Sequence, residues 1–132
     1  MLLDTSILVE LAGGQPTDPV VQRIQKALGN SMLFVSPIHL GELADAARRI
    51  GFDSKVAVER VLATTDLVAL DAQIAVAGSA IKAEARKRKS GRDFSLIDGI
   101  GLATARSRRM PMLTMDKEFE GFPDVTIISR KA

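Results

Sequence analysis

Apolar residues along this chain come alternately as short unbroken runs and as stripes at helical spacing. Met1–Leu3 is a short apolar run ending at Asp4. The spacing of Ile7, Leu8 and Leu11 then predicts a helix that opens at Thr5-Ser6 and stops at Gly13-Gly14. A second helix begins near Asp18-Pro19, with proline at its first position, and runs to Gly29. Met32–Val35 reads as a strand, Ser36-Pro37 caps a helix that ends around Gly51, and Asp53–Thr64 gives another helix. Leu67–Leu70 predicts a third strand. Asp71 to about Lys89 predicts a long helix with Ile74, Ala77 and Ile81 on its apolar face, and Ser90–Phe94 reads as a loop. Ser95–Arg108 is helical and Pro111 breaks it. Met112–Met115 is a fourth strand, and a turn through Gly121 and Pro123 leads to a last strand, Val125–Ile128.

Short strands alternating with amphipathic helices predict an α/β fold: one three-layer α/β/α domain over residues 1–132, with a mainly parallel sheet of four or five strands. In a parallel sheet each helix begins where the preceding strand ends, so helix starts and strand ends share the carboxyl edge. Ligands of open α/β sheets bind at that edge.

Composition narrows the setting. A chain of 132 residues is enough for one domain with a real core and too few for two domains, and 46% hydrophobic residues argue against disorder. No apolar run approaches the roughly 18 residues of a membrane span. No basic segment precedes an apolar one at the start. Cysteine is absent, which excludes a disulfide scaffold and any thiolate metal site. The expectation is a cytoplasmic protein without a membrane partner. Eighteen basic residues stand against sixteen acidic ones. The pI of about 9.2 reflects how little titrates between neutrality and lysine. Residues 1–66 hold six basic and eight acidic groups, residues 67–132 twelve and eight. Committing four carboxylates to cations leaves a surface able to attract a polyanion weakly.

Four acids fall on the predicted carboxyl edge. Asp4 directly follows the first strand and Asp116 the fourth. Glu42 lies in the second turn of the helix opening at Ser36-Pro37, and Asp98 in the first turn of the helix opening at Ser95. Each also has a plainer explanation. Asp4 suits a helix N-cap, Ser95-Leu96-Ile97-Asp98 a capping box, and Asp116 a turn before Lys117. Glu42 shares a helical face with Asp45 and Arg49, away from the Leu40, Leu43, Ala44, Ala47 stripe, so a solvated face suits it as well as a ligand role. Asp45 and Arg49 read as an i,i+4 ion pair. Convergence favours the site: several acids at one edge repel unless cations sit among them.

Oxygen-only ligands suit Mg²⁺ or Mn²⁺ rather than zinc. The chemistry natural to such a set is phosphodiester hydrolysis, with the cation activating water and stabilising charge on the leaving oxygen. One histidine cannot supply the acid–base pair of a metal-free ribonuclease. His39, three residues before Glu42, lies within reach of the site, but a structural or exposed role is the expectation for it.

At these residues the sequence resembles the PIN domain family. MLLDTSILVE, VSPIHLGEL, SLIDGIGLATA and MLTMDKEF look like its four signature segments, in order and across essentially the whole chain, supplying Asp4, Glu42, Asp98 and Asp116. The size resembles the VapC-type toxins of toxin–antitoxin modules. The resemblance implies a Mg²⁺- or Mn²⁺-dependent ribonuclease acting on RNA, homodimeric, and held inactive by a cognate antitoxin. It implies that the first and fourth strands are neighbours, and that Thr5 and Thr114 place hydroxyls near the acids. Gly99 and Gly101 are unusual helix residues, costing about 1 kcal/mol each relative to alanine. They suggest close backbone packing beside Asp98.

Two basic groups sit at predicted helix C-termini, where the helix dipole favours cations. Lys82, Arg86 and Lys89 share a face of the long helix, and Arg106, Arg108 and Arg109 end the helix from Ser95. The segment holding Lys87, Arg88, Lys89 and Arg92 precedes Ser95 and is the candidate RNA contact. With five Phe, no Trp and no Tyr, base stacking contributes little. Among rivals, an aspartate-nucleophile phosphatase wants a second Asp where Ser6 stands. A receiver-type domain wants paired acids at the first strand end. No GxxxxGK or GxGxxG occurs. A housekeeping RNA-processing nuclease and an idle binding module of the same fold remain as alternatives.

Overall fold

The computed structural model describes residues 1–130. Five parallel strands, β1 (Leu2–Leu3), β2 (Phe34–Val35), β3 (Asp66–Leu67), β4 (Met112–Thr114) and β5 (Val125–Ile127), lie in the order β3-β2-β1-β4-β5. Six helices connect them: α1 (Thr5–Gly13), α2 (Pro19–Leu28), α3 (Pro37–Arg49), α4 (Ser54–Leu62), α5 (Ala72–Ala85) and α6 (Leu96–Ser107). As expected, the first and fourth strands are neighbours, with Leu2 opposite Met112 and Leu3 opposite Leu113.

The layering follows from strand periodicity. Successive side chains point to opposite faces. Leu3, Val35 and Leu113 therefore bury into one core with α1–α4, while Leu2 and Met112 bury into a second core with α5 and α6. Central strands buried on both faces must be apolar throughout, as β1 is. Among the described residues no helix is long and apolar enough to cross a membrane.

Three of the boundaries that differ from those expected have a visible cause. The third strand is Asp66–Leu67 instead of Leu67–Leu70. Its partner β2 has only two residues before Ser36-Pro37 turns into α3, so the ladder ends at the bond from Val68 N–H to the Val35 carbonyl. The second strand starts at Phe34, since Met32 is exposed. The long helix stops at Ala85, short of Lys89. There the Arg86 guanidinium donates to the Phe94 carbonyl and Gly91 presses on the Ala85 backbone, where a Cβ would stand 2.2 Å from the carbonyl oxygen. The chain folds back at that glycine and forms a 3₁₀ turn, Lys89–Gly91.

Helices α5 and α6 touch backbone to backbone. A Cβ on Gly99 would lie 2.2 Å from the Gly78 carbonyl oxygen, and one on Gly78 would lie 2.7 Å from the Ile100 nitrogen. The close backbone packing expected from Gly99 and Gly101 is present at Gly99, while at Gly101 the close neighbours are side chains. Gly99 meets Gly78, and Gly101 meets the His39 ring.

Candidate active site

Asp4 ends β1 and occupies the N-cap position of α1, yet its side chain caps nothing. Its carboxylate is buried and accepts at Oδ2 from the Thr114 hydroxyl (2.7 Å) and the Ser6 hydroxyl (3.0 Å). The Ser6 oxygen in turn accepts from Met115 N–H at 2.9 Å, and Thr114 Oγ1 accepts from Asp116 N–H at 3.0 Å. One hydroxyl thus joins Asp4 to the backbone of Asp116 across the β1–β4 pair. Thr5 Oγ1 donates to Glu42 Oε1 at 2.5 Å, so Glu42 is tied to the start of α1. It does not share the solvated surface of Asp45 and Arg49, both of which are exposed. The expected Asp45–Arg49 ion pair is not among the pairs formed by the described residues. Exposed pairs gain too little to hold two long side chains together.

Asp98 satisfies the capping explanation in full. Ser95 N–H donates to Asp98 Oδ2 at 2.9 Å, and Asp98 N–H donates to Ser95 Oγ at 3.0 Å. The same carboxyl titrates at about 6, pushed up first by burial and further by the charges of Asp4 and Asp116, against the lowering bonds from Ser95. Cap and acid cluster therefore coexist in one residue. Asp116 also keeps its turn role, accepting from Glu118 N–H at 2.8 Å at the head of a 3₁₀ turn, Lys117–Phe119. The structure brings Asp4 and Asp116 each within electrostatic reach of Asp98, with Glu42 tied to Thr5, the residue after Asp4.

Thr5 and Thr114 do place hydroxyls on acids. Ser6 does so as well. Sequence reasoning passed over it, although a serine two residues after a strand-end aspartate stands in reach of that carboxylate. His39 is wholly buried and directs Nε2 at Asp4 Oδ1, 3.6 Å away. Of the basic segment, Lys87, Lys89 and Arg92 are exposed. Arg88 differs, with its guanidinium 4.3 Å over the Phe122 ring and bonded to Glu84 and the Glu120 carbonyl. The segment does border the site: Asp93 N–H donates to Glu118, and Phe94 packs edge-on to Phe119, 5.0 Å between ring centres. Arg106 is held by Asp124 through two bonds. A cleft of about 820 Å³ opens beside Asp116, lined by Ser6, Lys117, Ile127 and Arg130 among others.

The donor set is all oxygen apart from His39, and the Asp98 pKa is raised first by burial and then by the charges of Asp4 and Asp116, a repulsion that a cation would relieve. Among the described residues no three acidic or imidazole groups converge closely enough to enclose an ion. Such an open edge suits Mg²⁺, which keeps several waters and takes only one or two carboxylates.

The sequence profile of the PIN domain matches residues 1–125. The chain belongs to the PIN domain family. Among solved structures, a toxin–antitoxin complex from Klebsiella pneumoniae is 26% identical, with a TM-score of 0.71 over 95% of this chain and 94% of that one. A DNA-bound VapBC complex from Salmonella typhimurium is 24% identical, with a TM-score of 0.68 over 97% and 96%. A sarcin–ricin-loop-cleaving VapC toxin of Mycobacterium tuberculosis is 18% identical, with a TM-score of 0.63 over 84% and 85%. Comparison with curated protein sequences finds no match. At these identities the latter two structures speak for the PIN fold alone, a parallel sheet whose first strand lies between the second and fourth.

Proposed function

We propose that this PIN domain is a Mg²⁺- or Mn²⁺-dependent ribonuclease and the toxin of a toxin–antitoxin pair. The observation that carries the reading is the buried Asp4, held by hydroxyls from α1 and β4 and, like Asp116, within electrostatic reach of Asp98 on the carboxyl edge of a PIN sheet. Of the four acids Asp4, Asp98, Asp116 and Glu42, one or two would bind the cation directly and the others would hold it through its waters. The chemistry it supplies is activation of water and neutralisation of charge on the phosphate and the departing oxygen. The protein's own contribution is placement. Thr114 and Ser6 fix Asp4, Thr5 fixes Glu42, and Ser95 fixes Asp98. The cleft beside Asp116 offers room for a nucleotide, with Lys117 and Arg130 on its wall to meet phosphates, and Lys87, Lys89 and Arg92 extend the basic border.

RNA cleavage is expected to stop in EDTA, return with Mn²⁺ or Mg²⁺, and leave 5′-phosphate ends, because water attacks without help from the ribose 2′-OH. End-group analysis showing cyclic phosphates would sink this mechanism.

The similarity to the Klebsiella pneumoniae toxin–antitoxin complex supports an antitoxin partner. An acidic edge left open is a ready site for an arginine or lysine of such a partner. The protein is expected to be a homodimer by light scattering. Its cleavage should be silenced by the product of an adjacent reading frame encoding a DNA-binding protein. A monomer at every concentration, uninhibited by that product, would favour a housekeeping nuclease.

A further inference from the structure

His39 is the one histidine of the chain and lies wholly buried in the first turn of α3. Neither ring nitrogen has a hydrogen-bond partner among the described residues. A buried polar group left unpaired costs about 1–3 kcal/mol, so packing alone is a poor reason for an imidazole here. Its surroundings nevertheless make room for it. A Cβ on Gly101 of α6 would lie 2.7 Å from the ring Cε1 and 2.8 Å from Nε2. Helix α6 accepts a glycine in its interior, at a cost of about 1 kcal/mol, and the ring fills that space.

The ring is aimed at the site. An ionised carboxylate has about four acceptor positions. Thr114 and Ser6 both bond Asp4 at Oδ2, whereas Oδ1 receives no hydrogen bond from the described residues, and His39 Nε2 faces it at 3.6 Å. We infer that His39 is a positioning residue for Asp4, its Nε2–H directed at Oδ1 to fix the carboxylate from the α3 side, as Thr114 and Ser6 fix it from β4 and α1. At 3.6 Å the contact is longer than a hydrogen bond; contacts in free enzymes are often long and tighten when the site is filled. The Nε2–H tautomer leaves only a lone pair at the unpartnered Nδ1. Oδ1 then keeps an acceptor position for a cation. The role rests on the proposed reading of Asp4 as a cation ligand, but the contact itself does not.

With one histidine, long-range ¹H–¹⁵N spectra of the untagged protein report His39 alone. The expected result in metal-free buffer is the Nε2–H tautomer, with an Nε2 signal that moves in Asp4→Asn. An Nδ1–H tautomer, or a ring signal indifferent to Asp4→Asn, overturns the inference whatever the cation does. Melting curves then give the Mn²⁺ Kd of the wild type, of His39→Gln, which keeps an N–H near the Nε2 position, and of His39→Met, which keeps bulk alone. Loss of an outer partner of a metal ligand typically weakens binding about 10- to 100-fold. That rise is expected for His39→Met, with His39→Gln close to wild type. Equal Kd values in all three proteins would reduce His39 to packing and overturn its positioning role. A wild type that ignores Mn²⁺ would instead remove the cation reading of the acids and with it the positioning role, while the tautomer and Asp4→Asn spectra would still decide the contact.

Discussion

Asp98→Asn is expected to leave the metal-free protein at least as stable as the wild type while lowering RNA cleavage by about two orders of magnitude or more. The stability half follows from linkage. The folded protein raises the Asp98 pKa from 3.8 to about 6, so the ionised side chain opposes folding. That cost is absent below about pH 4, grows as pH rises through 6, and is fully present at pH 7. A rise of that size corresponds to about 3 kcal/mol; solvent screening of this partly exposed group reduces the expectation to about 1–2 kcal/mol. Asparagine removes the charge and keeps an oxygen to accept from Ser95 N–H, so the capping box survives. Wild type and variant should therefore melt together near pH 4, and the variant should melt higher at pH 7. Saturating cation at 100 times its Kd stabilises by about 2.7 kcal/mol, and the variant should lose most of that response. A variant retaining both the full Mn²⁺ shift and normal cleavage would leave Asp98 as a cap and nothing more.

Gly99→Ala is expected to be among the most damaging single-methyl changes in the fold. In an ordinary helix interior the substitution stabilises by about 1 kcal/mol. Here the new Cβ would stand 2.2 Å from a backbone carbonyl oxygen of Gly78, an atom that moves only with α5. Overpacking of this kind costs about 1–3 kcal/mol and occasionally more. With the lost helix contact included, a net destabilisation of about 2 kcal/mol is expected, several degrees in Tm for a chain of this size. Asp98 is the preceding residue, so a displaced α6 should also weaken the Mn²⁺ response. Thermal melting is the measurement, and an alanine variant as stable as wild type would show that the two helices separate without penalty.

The sheet and its carboxyl edge were legible because each signal was local. Apolar runs, Pro37 after Ser36 and the Ser95–Asp98 spacing mark where strands end and helices begin. The strand order was not local, and the neighbouring of β1 and β4 came from family resemblance. The acids were legible as positions but not as roles. Asp98 is both cap and member of the cluster, since Ser95 occupies one carboxylate oxygen only. Glu42 was ambiguous because the helical wheel describes α3 in isolation, and what decides its environment is Thr5 on another helix. His39 had no periodicity to betray it. Its complement, Gly101, lies 62 positions away in the sequence, and a pair that fits only in three dimensions leaves no pattern in either segment. The boundaries missed at β3 and at the end of α5 were set by a neighbouring strand and by a chain reversal.

The hydrogen bond between Thr114 and Asp4 spans 110 positions of sequence, and the first strand is threaded between the second and the fourth. A ribosome therefore makes Asp4 more than a hundred residues before the strand that docks beside it. Pairing over such separations closes a long loop and is slow to form. During synthesis, at about 5–20 residues per second, the nascent chain carries Asp4, Glu42 and Asp98 without the strand that brings Asp116 to them. Polypeptides cut short anywhere before residue 112 would lack β4 altogether. The order of strands thus acts as a timer on biosynthesis, withholding the assembled acid edge until β4 has been translated.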